Sequence, residues 1–267
     1  MAKIPDEKRN ELASAIVPYD ERIKAIEKKE KQLIDEMKKS GENVEIKKIA
    51  IISDLLFLSS LYMVKSSLSE KIIDAKNNDA LNDSRKVLYR AVIYLEETVT
   101  NFIDVPYSDL TKNWEAIESV SVQEKYFLIR KFLLVLNLLK HAFGENSKWK
   151  WSFVELEGRV CTIAKNLIDM KKASKDFFEP SSDGYEVTVS YIRLVDKLLE
   201  VAAKQYRDKY ELSSRRIDDM ASAIKYLRAR HKLCIAINDK ENAEEVKKRA
   251  DVWKEKMDAD NKSGLSS

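Results

Sequence analysis

The sequence predicts an all-α protein, an elongated multi-helix bundle or α-solenoid of about eight or nine helices. Three observations carry that prediction. Glycine (5) and proline (4) are scarce in 267 residues, so the chain must run in long unbroken elements. Charged residues reach 35% beside 44% hydrophobic ones, a balance suited to helices with one solvated face. Apolar side chains recur three and four residues apart along most of the length.

Taken in order, residues 1–40 place Leu12, Ile16, Tyr19, Ile23, Ile26, Leu33 and Met37 on one seam, with Glu30 at its only charged position. A repeat of about 3.5 residues marks a coiled-coil-like helix. Pro18 is expected to kink it or begin a second helix, and Gly41 to stop it. A central bundle is expected over 44–178. Its second helix, about Val44 to Asp74, contains the apolar run Ile49–Val64. That run is 16 residues long and includes Ser53, Asp54, Ser59 and Ser60, shorter than the roughly 20 apolar residues of a membrane span, so it reads as a core helix with no transmembrane segment. After a turn at Asn77-Asn78-Asp79, a third helix should run from near Asp83 to Phe102, with Pro106 beyond it. Ser108 or Asp109 should cap a short fourth helix. Ser121-Val122-Gln123-Glu124 has the form of a capping box for a fifth, closed by Gly144.

Ser147 is expected to open a sixth helix reaching about Asp176, with Gly158 inside it marking close approach by another helix. The segment Glu179-Pro180-Ser181-Ser182-Asp183-Gly184 has the strongest turn composition and is the expected boundary before a C-terminal region, 185–259. There Val187, Tyr191, Leu194, Leu198 and Val201 stripe one helix, and Ser213 or Ser214 should cap the next, which carries Ile217, Met220, Ile224, Leu227 and Cys234. A last helix should span Glu241 to about Ala259, and residues 260–267 read as a disordered tail.

Charge is nearly balanced, 48 basic against 45 acidic residues for a net +3, and the signs interleave: ten and nine in residues 1–40, thirteen and eleven in 210–262. No segment has the one-signed field of a dedicated nucleic-acid or membrane binder. The start, Met1-Ala2-Lys3-Ile4-Pro5-Asp6, lacks the apolar stretch of a signal peptide, which predicts a cytoplasmic protein unless a leader was removed upstream. Cys161 and Cys234 read as buried thiols and form no CxxC.

No reactive constellation is visible. The glycines, at 41, 144, 158, 184 and 264, match no phosphate-loop spacing. His141 and His231 are the only histidines, without HExxH or Glu-x-x-His pairs. The expectation is therefore a non-enzyme without cofactor or metal. His141 suits a helix C-terminus as a cation, and His231 a surface position.

Two constellations are candidate partner contacts. Lys148-Trp149-Lys150-Trp151 precedes Phe153: Trp149 and Phe153 fall four apart, and Trp151 points elsewhere. The plainer reading is aromatic plugs between helices with lysine stems beside them; the sharper is a protein-contact hot spot, and base stacking is a third. Lys225, Arg228 and Lys232 form a basic ridge able to meet a phosphate or an acidic peptide, against the plainer reading of a solvated helix face.

Asn238-Asp239-Lys240-Glu241-Asn242-Ala243, with Ala250 seven residues on, resembles the turn and small-residue positions of one degenerate tetratricopeptide unit, over about residues 221–256. Arg230 and His231 depart from that pattern. The resemblance implies a helical hairpin, and no family pattern is recognised for the whole chain. The expected function is a helical scaffold or adaptor working through protein–protein contacts, with self-association through the N-terminal helix as one route. The alternatives are a structural subunit of an extended assembly (a filament, coat or flagellar sheath) and, third, a helical enzyme or nucleic-acid binder.

Overall fold

The structure, a computed structural model, describes residues 4–144 and 147–263. It is all-α, with ten α-helices and no strand among the described residues. One compact unit takes in the chain up to Thr98 together with Leu128–Trp149; the second takes in Val99–Phe127 together with the chain from Lys150 onward. The turn expected as a boundary, 179–184, lies inside the second unit.

In the first unit, α1 (Asp6–Ser40) carries Asp6 and Glu7 in its first turn and Lys38 and Lys39 in its last, charges that complement the helix dipole. It runs as one helix through Pro18, so no second helix begins there. Gly41 adopts φ 64° and its N–H returns to the Met37 carbonyl, ending the helix as expected. The seam packs in cis on α2 (Val44–Ile73), burying Ile23 and Ile26. Lys29 pairs with Asp54 at 2.6 Å, Lys65 with Asp20 at 2.5 Å, and the Tyr62 hydroxyl donates to Glu27. The charged seam position is answered from α3 (Asn78–Val99): buried Glu30 accepts from the Tyr94 hydroxyl at 3.1 Å and pairs with Arg90 at 3.0 Å.

By length and composition α2 is the one helix among the described residues apolar enough to cross a membrane, yet Ile51, Ile52, Leu55 and Leu58 are buried within its own unit. It meets α3 closely where Ser59 and Ser84 exchange hydroxyl and carbonyl bonds. The third helix starts five residues before the expected Asp83, because the Asn77 side chain accepts from the Ala80 N–H and makes Asn78 and Asp79 a first turn.

The capping box forms as expected at α5 (Val122–Phe143): Glu124 accepts from the Ser121 N–H and the Ser121 hydroxyl accepts from the Glu124 N–H. The short fourth helix consists of a 3₁₀ turn, Tyr107–Leu110, running into α4 (Thr111–Ala116). The expected sixth helix is two, which brings the count to ten. α6 (Lys150–Leu167) ends where the Asp169 carboxylate accepts from the N–H groups of Lys171 and Lys172 and so caps α7 (Met170–Phe177).

The C-terminal part of the second unit packs α8 (Tyr185–Lys209) on α9 (Ile217–Ala236), and α9 on α10 (Lys240–Lys262). The helix expected to fray at Asp260 continues to Lys262, since Asp260 accepts from the Tyr210 hydroxyl at 2.7 Å and from Lys256 at 2.9 Å. Residues 264–267 lie outside the described residues. Arg230, which breaks the repeat pattern, turns inward and pairs with Asp196 and Glu200 of α8; Arg249 of α10 pairs with the same Glu200. Cys161 and Cys234 are free and buried.

Candidate functional site

Between α3 and the 3₁₀ turn that leads into α4, residues 100–106 run through the second unit as a strap whose backbone carbonyls are held by side chains of α6. Thr100 sits at φ 84°, a left-handed conformation that breaks α3 sharply. From α6, the Asn166 side-chain amide donates to the carbonyls of Thr100 and Phe102 at 3.3 and 3.2 Å. The neighbouring Lys165 donates to the Val105 carbonyl and to Asn166 Oδ1, both at 3.2 Å, with its ammonium 4.8 Å from the Tyr107 ring centroid. Trp114 donates from its indole nitrogen to the Asn166 carbonyl at 2.8 Å.

Lys165 is only 1% exposed. Burial and the nearby Lys232 charge lower its pKa to about 8, against opposition from Asp104 and Cys161. Burial likewise pushes the Cys161 thiol well up, and that of Cys234 to about 11, so neither is a ready thiolate at neutral pH.

Beside the strap lies a cleft of about 210 Å³, lined among others by Phe102, Asp104, Arg159, Tyr206, Ser222 and Lys225. Gly158 makes its back wall possible. Tyr206 and Tyr226 stack at 5.5 Å, and a Cβ at Gly158 would fall 2.7 Å from Cε2 of the Tyr206 ring and 2.7 Å from the Tyr226 hydroxyl oxygen. The close approach expected at Gly158 is therefore made by α8 and α9. Gly158→Ala gains about 1 kcal/mol of helix propensity but incurs about 1–3 kcal/mol of overpacking. We expect the melting temperature, read by circular dichroism, to fall by about 2–4 °C. A rise would mean that the tyrosines yield freely.

The basic ridge borders this strap. Lys225 lines the cleft, Lys232 donates to the Asp104 carbonyl at 3.4 Å, and Arg228 lies exposed between them on α9. Several apolar side chains stand exposed on the same unit, among them Phe102 (65%) on the strap and Ile235 (59%), the latter three residues beyond Lys232 on the ridge. Composition gave no sign of them. The ridge was legible from spacing alone; its neighbours Phe102, Asp104 and Arg159 come from distant parts of the chain.

The tryptophan pairing differs from expectation. Trp149 lies in the turn before α6 and belongs to the first unit, whereas Trp151 and Phe153 lie on α6 in the second, so the four-residue helical face of Trp149 and Phe153 does not form. Trp149 is half-buried beneath the Arg85 guanidinium, 3.9 Å from the ring centroid, with the Lys148 ammonium at 5.2 Å. Half-buried Trp151 has the Lys150 ammonium at 5.0 Å. Both lysines are exposed. Among the described residues no three of His, Cys, Asp and Glu converge as metal ligands.

No curated protein and no solved structure matches the chain. A family model does match, and over far more than the C-terminal hairpin singled out by its sequence: residues 8–261 fit the TP0443 family. The chain belongs to the TP0443 family.

Proposed function

We propose that this protein is a non-catalytic helical adaptor that engages an acidic, partly apolar segment of a protein partner along α9. The observation that supports this reading is the ridge itself: Lys225, Arg228 and Lys232 are exposed along one helix face, with exposed Ile235 continuing it. Cations give such a surface its encounter rate and register, and desolvated apolar anchors give it affinity. On this reading the α9–α10 hairpin is a rigid, tetratricopeptide-like platform for the ridge, with Ala229, Ala243 and Ala250 buried along it.

A labelled peptide alternating Glu with Leu tests the reading. Its affinity should fall by about tenfold or more between low and physiological salt, and the triple variant Lys225→Glu/Arg228→Glu/Lys232→Glu should lose it while keeping its helical circular dichroism. A response that is flat in salt, or a variant that binds like the parent, would sink the proposal.

One observation favours a second reading, a subunit of a larger assembly. Leu134 and Leu138, four apart on α5 and hence on one face, are both more than half exposed. Light scattering over a concentration series separates the two readings: an assembly subunit grows with concentration and an adaptor stays small.

A further inference from the structure

The exposed side of α9 is a seam whose spacing selects the shape of what fits it. Lys225, Arg228, Lys232 and Ile235 follow one another at three, four and three residues, all exposed. Along the helix axis those steps are about 4.5, 6 and 4.5 Å. Acids three and four apart on a second helix repeat them, whereas one face of an extended strand offers a side chain only every 6.6 Å or so. No acid interrupts the seam, since the sequence from Met220 to Asn238 contains none. Asp104 and Arg159, which line the neighbouring cleft together, offset each other in charge.

The strap adds a second apolar anchor, at the end of the ridge remote from Ile235. Phe102 lines the cleft with Ser222 and Lys225, yet most of the residue is exposed. Its backbone is pinned on both sides. The Phe102 N–H donates to the Thr100 hydroxyl at 3.4 Å, and its carbonyl accepts from the fully buried Asn166 at 3.2 Å. Two residues on, the Asp104 carbonyl accepts from Lys232 at 3.4 Å, which ties the strap to the ridge. An aromatic ring on a fixed backbone loses little freedom when a partner covers it, as an interface anchor requires.

We infer that the partner segment is an acidic amphipathic helix. Acids three and four residues apart meet Lys225, Arg228 and Lys232, and apolar side chains at its two ends cover Phe102 and Ile235. This rests on the adaptor reading for the ridge and adds to it the helical form of the partner and the role of Phe102.

Fluorescence anisotropy with two labelled peptides tests it on the full chain. One is alanine-based, with glutamates three and four apart between terminal leucines; the other is the same peptide with its two central alanines replaced by proline, which keeps the charge and breaks the helix. The helical peptide should bind at least about tenfold more tightly. Phe102→Ala should weaken the helical peptide by about tenfold and keep its salt dependence, which the ridge sets. It should leave the melting temperature within about 2 °C, because the ring already lies in water. Phe102→Leu should recover part of the affinity. Two peptides that bind alike, and are both lost from the Lys225→Glu/Arg228→Glu/Lys232→Glu variant, would overturn the helix and leave the adaptor reading standing. If neither of them nor the peptide alternating Glu with Leu binds, both fall. The inference is also overturned if Phe102→Ala binds like the parent, if the protein dimerises through Phe102 and the ridge, or if it holds phosphatidylglycerol vesicles more tightly than the helical peptide.

Discussion

Arg230→Met should cost about 3 kcal/mol of stability at neutral pH, measured by urea unfolding, one of the largest effects of any single ionic substitution in the second unit. The guanidinium is mostly buried and binds two carboxylates at once: both oxygens of Asp196, at 2.7 and 3.1 Å, and Glu200 at 2.5 Å. Methionine fills similar space but leaves two acids, four apart on α8, facing each other with less to neutralise them. The pH dependence gives an independent check. Burial pushes the Glu200 carboxyl up, but hydrogen bonds from Arg249 and Lys204, with the charges of Arg249 and Arg230, outweigh it and hold the group below its ordinary value. A carboxyl depressed in the folded state contributes stability that is present above its unfolded pKa and lost as pH falls through the folded one. The parent should therefore lose stability on acidification below about pH 4.5 more steeply than the variant does.

Lys165→Met should change the alkaline behaviour of the same unit by about 3 kcal/mol. Among the described residues the Lys165 ammonium has no carboxylate at ion-pair distance, only two carbonyl-type acceptors and a ring face. Its folded pKa of about 8 lies below the ordinary 10.5, so below pH 8 the folded state bears the full cost of a buried charge. That cost fades between pH 8 and 10.5, as the folded protein sheds a proton that the unfolded chain still holds. Buried tyrosines and cysteines oppose this trend in the parent, because their raised pKa values favour unfolding at high pH. The difference between parent and variant removes that background. It should move in the parent's favour by about 3 kcal/mol from pH 8 to 10.5 when followed by denaturant melts in the two buffers. A difference independent of pH would mean that water reaches the ammonium.

The helices were largely legible in the sequence because each is set by local chemistry. The Gly41 stop, the Ser121–Glu124 capping box and the seam of α1 all involve residues within a few positions of one another. Misreadings fell where a side chain competes with the backbone. Asn77 starts α3 early, Asp169 divides one expected helix into α6 and α7, and Asp260 extends α10 through a bond to a tyrosine fifty residues away. The candidate site was legible only as a charge spacing. Lys225, Arg228 and Lys232 share a face because a helix repeats every 3.6 residues or so. The strap that borders them depends on Lys165 and Asn166, which in sequence resemble any polar pair on a solvated face. Only the fold buries them.

The central claim, that this chain works by holding a protein partner on the α9 ridge, is tested most directly by quantitative capture from an extract of the cells that make it. Parent protein and the Lys225→Glu/Arg228→Glu/Lys232→Glu variant serve as parallel baits at low and high salt. The account predicts one or a few proteins enriched on the parent, released by salt and absent from the variant. The same proteins held equally by both baits, or retained on the parent regardless of salt, would contradict it.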